Sequence, residues 1–359
     1  MALSSTVKAQ KIASAAATVV ERSLIVPNLM TKVGLDEFRG AANDTVNIKV
    51  PGILPAHDLT WRSERSSNLT LDAFSERTYA VSFGGNVYQA TKLQDEQVDF
   101  DNVGWQKVVP IQAEAIGRNI EGKALAQLGA PTFPGNSSLS GVSGSASAYS
   151  YMVAGAKSGR DLKGTLLALR YIANKIGMGS SRTLVISAAI EAQILAEATA
   201  LGLTTANMVG EGIASSALRE ATIGRLFGMN FVTAQELADD KAYLTTPGAY
   251  VMATAAPSVP QSVPFGGTGS SKGGVSVRVL RDYDALQLVD RSVLNTYVGF
   301  RAIPDVVLMD PQGTAAVSTG EYFIRAIALD MDATADVLPA AASELDKAFS
   351  VNATAGLPV

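Results

Sequence analysis

The sequence predicts an α+β protein, on three observations. Between residues 101 and 128 the apolar positions recur every three or four residues; before that segment they alternate at period two; after it both periods appear within about 100 residues, enough for a compact mixed domain. From Asp101 to Leu128 the repeating positions are Trp105, Val109, Ala113, Ile116, Ile120, Ala124 and Leu128, a continuous stripe on a helix and nothing coherent on a strand. Asp101 is the expected N-cap, and Gly129 with Pro131 the stop. About 28 residues at 1.5 Å each give roughly 40 Å, longer than most globular helices. Pro110 should kink this helix or mark its true beginning. Trp105, Val109, Ile116 and Ile120 are its expected core contacts.

The remaining elements follow in order. Residues 1 to 24 read as a separate helix with Ile12, Ala16, Val19 and Val20 on its apolar face and Pro27 just beyond. A helix this short must dock on something, in this chain or another. Val46, Ile48 and Val50 alternate with polar residues up to Pro51-Gly52, a strand and a turn. Leu69, Leu71 and Ala73 form a second alternation, and Tyr79, Val81 and Phe83 a third. Between them lies the polar run Arg62-Ser63-Glu64-Arg65-Ser66-Ser67-Asn68, the expected tip of a long two-stranded hairpin. Such a hairpin is marginal in water and needs a surface to lie on. Trp61, Arg62, Glu64 and Arg65 are therefore the candidate contacts to a second subunit; an ordinary surface hairpin is the alternative.

Residues 129 to 150 are a Gly/Ser-rich loop by composition. Ser158 with Asp161 resembles a capping box, opening a helix through Leu162, Leu166, Leu169, Ala173 and Ile176 that stops at Gly177. Then come a strand from Thr183 to Ile186, Ser187 as a cap, and a helix from Ala188 to Leu201. A helix from Ile213 to Ala221 and strands at Asn230–Thr233 and Gly248–Ala255 follow. Pro257 to Gly274 reads as a long loop, Val275 to Ile303 as a run of strand, and Tyr322 to Leu329 as a strand in an otherwise featureless tail.

Composition excludes several chemistries. With no cysteine there are no disulfides, thiolate zinc sites or cysteine nucleophiles. His57 is the one histidine, so His-rich metal sites are excluded. The chain carries 29 basic and 33 acidic residues, a net charge of −4, without the basic excess of a dedicated nucleic-acid binder. Charged residues make up 17% of the chain, against about 25% in an average soluble domain. That suggests a surface covered by other protein, or simply an Ala-rich soluble domain. No run approaches a membrane span of about 18 apolar residues, and the N-terminus lacks a signal-peptide core.

Motifs that carry chemistry fail on context. Gly117 to Lys123 matches Gly-x4-Gly-Lys, but Ala124 replaces the magnesium-binding hydroxyl and the match falls inside a helix, where backbone N–H groups are already bonded. Gly267 to Lys272 reads as a flexible glycine loop, and Gly141 to Ser145 lacks the last glycine of a nucleophile elbow. His57, beside Asp58, reads as a polar surface residue rather than a catalytic base. Arg278, Arg281, Asp282, Asp284, Asp290 and Arg291 alternate in sign, which suits ion pairs on a strand face better than metal ligation. No cofactor is expected.

The order of parts resembles the major capsid proteins of tailed bacteriophages, with the Hong Kong 97-type shell fold. The likeness covers about residues 5 to 303 and rests on an arm helix, the strand Asn43-Asp44-Thr45-Val46-Asn47-Ile48-Lys49-Val50-Pro51, and an extended hairpin. Leu93-Gln94-Asp95-Glu96-Gln97, the long helix, the mixed domain with Ile223 to Val232, and Arg281-Asp282-Tyr283-Asp284 before Gly299-Phe300 complete it. The resemblance implies an N-terminal arm (1–44), an extended β-hairpin loop (45–92), and a peripheral domain with spine helix (93–160 and 275–303). It further implies an axial domain (161–274) and leaves a C-terminal extension (304–359). It implies a non-enzymatic subunit that self-assembles into hexamers and pentamers of an icosahedral shell around double-stranded DNA, assembled in the host cytoplasm and residing in the virion. Scaffolding, portal and decoration proteins would be further partners, packaged DNA would be bound non-specifically, and no membrane is involved. Some relatives cross-link through Lys–Asn bonds; Lys49, Lys92 and Asn68 are of the right types but match no motif. A nanocompartment shell of the encapsulin kind shares the fold and is one alternative; an enzyme built on the mixed domain is the other.

Overall fold

The computed structural model describes residues 9–33, 45–51, 54, 56–57, 71–74, 76–94, 105–129, 151–155, 159–197, 225–263, 265–304, 323–333 and 336. In chain order the elements are α1 (Ala9–Ser23), β1 (Thr31–Val33), β2 (Thr45–Pro51), β3 (Glu76–Ser82), β4 (Gly85–Gln94), α2 (Trp105–Gly129) and β5 (Met152–Ala154). Then follow α3 (Leu162–Lys175), β6 (Thr183–Ile186), α4 (Ala188–Ala196), β7 (Arg225–Leu226), β8 (Met229–Thr233), β9 (Lys241–Thr245) and β10 (Tyr250–Ala255). The last are β11 (Phe265–Ser270), β12 (Ser276–Asp284), β13 (Val289–Ala302) and β14 (Ala326–Asp330). They are divided between two compact units. One comprises Met1–Ile48, Ala80–Gln127 and Tyr250–Ala302; the other comprises Lys49–Tyr79, Leu128–Ala249 and Ile303–Val359.

In the first unit β13 is the hub. Val289 to Asn295 pairs with β12, Tyr297 to Ala302 with β10, and Val289 to Val298 with β4, all antiparallel. Tyr297 and Val298 pair with both β10 and β4, so those two occupy opposite edges, and β10 shares its edge with β12. Thr296 stands where that edge changes partner, and its hydroxyl donates to Ser276 O at 2.7 Å. β11 extends the sheet beyond β12, and β1 lies parallel to β10.

The glycine-rich segment read as a loop is strand β11. Its glycines admit α1: a Cβ at Gly267 would come within 2.6 Å of the Ala9 carbonyl carbon, and one at Gly269 within 2.2 Å of Ser14 N. Only bare backbone lets the helix approach so closely. The buried face of α1 is accordingly small, with Ala13, Ala16, Ala17 and Val20 buried. Ile12 and Val19, expected to lead that face, are half-buried instead, because the glycine strand leaves no depth for long side chains.

The long helix is α2, 25 residues, and it continues across Pro110. At 1.5 Å per residue it is about 37 Å long. Val109, Ala113, Ile116, Ile120, Ala124 and Leu128 are buried, while Trp105 is half-buried; the expected cap Asp101 lies outside the described residues. Gly117 meets the end of α1, where a Cβ would overlap the Ser23 hydroxyl. One turn on, the buried Glu121 carboxylate accepts from Ile25 N and Val26 N, each at 3.0 Å.

The second unit is a mixed sheet in the order β5-β14-β9-β6-β8-β7. α3 and α4 bury Leu166, Leu169, Ile172, Ile190 and Ile194 in one core with Leu184, Ile186, Leu244, Ile327 and Leu329. The Asp161 carboxylate caps α3 by accepting from Gly164 N at 2.6 Å, and Gly177 ends it with φ +72°. Ser187 caps α4, which ends at Ala196. Phe227 (φ 50°) and Gly228 (φ 79°) make the tight turn joining β7 and β8.

Other expectations are corrected. Leu71 to Phe74 is not strand, and Leu69 lies outside the described residues. Val275 to Ile303 is two strands, split by a turn at residues 285–288, because Leu288 takes a left-handed φ of 50°. Phe323 to Arg325 is not strand, so the tail strand begins at Ala326 and runs between β5 and β9; Tyr322 lies outside the described residues. The helix expected at Ile213–Ala221 and the cap at Ser158 lie outside the described residues.

Ile116 is 1% exposed, so Ile116→Asp should destabilise the protein by roughly 4 kcal/mol or more through an unpaired buried charge, read from the denaturation midpoint. Gly269→Val should lower the melting temperature by forcing α1 off β11, whereas Gly159→Ala, a position with open space around it, tests only backbone strain and should cost less.

Candidate assembly surfaces

β2 and β3 form a two-stranded sheet with no third strand among the described residues. Lys49 pairs with Glu76 at 3.3 Å on its exposed side. Beyond the strands, Leu54, Leu71 and Phe74 are exposed, Leu71 to 91%. Bare apolar side chains on two short stretches outside any strand suit a contact surface. His57 Nε2 lies 2.8 Å from Asp72 Oδ2, so the histidine has a carboxylate partner fifteen residues away that sequence order concealed. Trp61, Arg62, Glu64 and Arg65 lie outside the described residues.

In the first unit the start of α2 is fastened to β13 by polar groups. Trp105 Nε1 donates to Asp290 Oδ2 at 2.6 Å, and Arg281 Nη2 donates to the same oxygen at 2.9 Å. The Arg281 guanidinium lies 4.7 Å from the Trp105 ring centre and 5.5 Å from that of Phe265. Gln112 and Ser292, both buried, exchange hydrogen bonds: the amide donates to Ser292 O at 3.4 Å and the hydroxyl donates to Gln112 Oε1 at 3.2 Å. Beside this cluster is a cavity of about 550 Å³, lined mainly by Ile12, Ala16, Val19, Trp105, Val109 and Arg281.

The β12–β13 turn carries a second bare apolar group. Leu286 is 97% exposed and Leu288 62%. At its base Arg291 contacts Asp282 at 3.0 Å and Asp284 at 3.1 Å, and Arg278 Nε donates to Asn295 Oδ1 at 2.9 Å. The alternating charges are thus cross-strand pairs, as their pattern suggested.

Gly117 to Lys123 is helical throughout, and its Gly117 and Glu121 serve the contact with the end of α1. Gly141 to Ser145 lies outside the described residues. Among the described residues no group of three or more His, Cys, Asp or Glu could hold a metal ion. No described helix is long and apolar enough to cross a membrane. In the second unit Lys241 contacts Asp240 at 2.9 Å and also Asp330. Burial alone would lower its pKa, but hydrogen bonds and charge from Asp330 and Asp240 raise it above the ordinary lysine value. With the folded value raised, the ammonium's contribution is complete below the ordinary lysine range and is lost only as pH climbs through the folded value, so it persists at neutral pH.

No protein-family model and no curated protein matches the sequence. Solved structures do. The capsid of Ralstonia phage GP4 superposes with a TM-score of 0.56 at 9% identity, covering 86% of this chain and 88% of that one. The capsid of the cyanophage P-SCSP1u gives 0.53 at 10% identity, covering 86% and 88%. The mature capsid of bacteriophage PhiM1 gives 0.51 at 8% identity, covering 86% and 87%. This chain has the fold of phage capsid proteins. The likeness extends over both units, so the capsid fold accounts for nearly the whole chain rather than one domain of it. The Trp105–Asp290–Arg281 cluster, which periodicity could not reveal, is how this example of the capsid fold attaches its long helix to the central strand.

Asp290→Ala removes the acceptor shared by Trp105 and Arg281. It should cost roughly 1–3 kcal/mol, measured by denaturant titration, with Asp290→Asn recovering part of the loss.

Proposed function

We propose that this chain is a major capsid protein that self-assembles into hexamers and pentamers of an icosahedral shell enclosing the double-stranded DNA of a tailed phage. The observation that carries the proposal is likeness to phage capsids over 86% of the chain, at a TM-score up to 0.56. The exposed Leu54, Leu71 and Phe74 beside an unsupported two-stranded sheet add to it, since a neighbouring subunit would cover them.

In this reading the fold is of the Hong Kong 97 type. α2 is the spine of the peripheral domain, the sheet bearing α3 and α4 is the axial domain at capsomer centres, and residues 45–92 are the extended loop. The protein acts as a structural element without catalysis and resides in the virion after assembly in the host cytoplasm. Its first partner is itself; scaffolding, portal and decoration proteins are further partners. A net charge of −4 lets packaged DNA be held non-specifically and loosely.

Electron microscopy of the purified protein tests the reading: closed shells are expected, and a persistent monomer would contradict it. Reversing Arg62 and Arg65 to Glu should leave the circular dichroism spectrum unchanged while shifting sedimentation toward free subunits or capsomers. A single rim pair is worth less than about 1 kcal/mol, but a shell repeats it at every subunit. Normal shells from this double variant would remove the hairpin tip from the interface.

A further inference from the structure

The cavity beside α1 and the turn between β12 and β13 are complementary. The cavity, of about 550 Å³, is walled by Ile12, Ala16, Val19 and Val109, within the size range of roughly 300–1,000 Å³ typical of binding pockets. Its polar edge is Arg281, whose Nε is buried and has no acceptor. That atom has no surface open to the cavity, so Arg281 offers an occupant its charge and not a hydrogen bond from Nε. Lys11, exposed on α1, adds a second cation to the lining.

The turn supplies the opposite features. Leu286 and Leu288 project into solvent, and the backbone between Asp284 and Val289 is a turn offering carbonyl oxygens. Its flanks carry Asp282 and Asp284. Leu286 is 97% exposed, so it does not fill its own chain's cavity. Arg281, on the cavity wall, is five residues before Leu286 on the same ribbon, and an extended strand rises about 3.3 Å per residue, carrying the turn away from the pocket.

We infer that the Leu286–Leu288 turn of one subunit inserts into the α1–α2–Arg281 cavity of a second copy of this chain. The two leucines occupy the apolar walls, and the acidic flanks of the turn lie toward Lys11. Knob and hole are different surfaces of one molecule, so the contact is heterologous and propagates around a ring rather than closing as a two-fold dimer. This inference rests on the shell-subunit reading and specifies one of its interfaces.

The absence of cysteine makes the test clean. Leu286→Cys and Ala15→Cys are made separately; Ala15 lies on the cavity lining and is exposed. Each variant is assembled alone and in equimolar mixture, oxidised, and run on a non-reducing gel. Covalent dimers in the mixture and not in either variant alone are the expected result. Dimers from Leu286→Cys alone would mean that turns meet turns and would overturn the inference. So would an uncrosslinked mixture in which electron microscopy shows normal shells, an outcome that leaves the capsid reading standing. Failure of the unmodified protein to assemble would instead overturn the capsid reading itself. Leu286→Asp should shift sedimentation to free subunits while leaving the circular dichroism spectrum unchanged; normal assembly of this variant would also contradict the inference.

Discussion

The first unit depends on β13. This 14-residue strand is hydrogen-bonded along both edges by three strands, one of which, β4, lies about 200 positions earlier in sequence. Its buried polar residues are all engaged: Ser292 with Gln112, Asn295 with Arg278 and Asn86, and Thr296 with Ala255 and Ser276. A one-residue slip would turn each of them to the wrong face and break every pair, so these contacts hold register as well as contributing stability.

From that strand the attachment of both helices follows. α2 meets β13 through Trp105–Asp290 and, two helical turns further along, Gln112–Ser292. α1 reaches the sheet at β11, where glycine removes the side-chain layer that would hold it away. Glu121 then joins the two helices by accepting from the backbone just after α1. Where large side chains are displaced from the α1 contact, Ile12 and Val19 are left lining a cavity. Close packing in one place has produced an unfilled volume beside it.

Much of this was legible in the residues. The stripe of α2, the strand Thr183–Ile186, the Ser187 cap and the Gly177 stop are local signals, and local signals survive folding. The sign alternation from Arg278 to Arg291 correctly indicated ion pairs because cross-strand neighbours are set by strand pairing. The misreadings have a common cause. Gly267 and Gly269 look like loop until a helix backbone lies against them, and Asp72 becomes the partner of His57 only when two segments meet. The Trp105–Asp290 bond spans 185 positions, beyond anything periodicity encodes. The expected hairpin tip, Arg62 to Asn68, lies outside the described residues, and its intersubunit contacts remain a proposal.

The free subunit of this fold leaves apolar segments bare for other copies to cover. Hydrogen–deuterium exchange on free subunits and on assembled material tests it most directly. The β13 amides should be the slowest in both states, while residues 71–74 and 285–288 exchange quickly in free subunits and become protected on assembly. Equal exchange of those two segments in both states would contradict it.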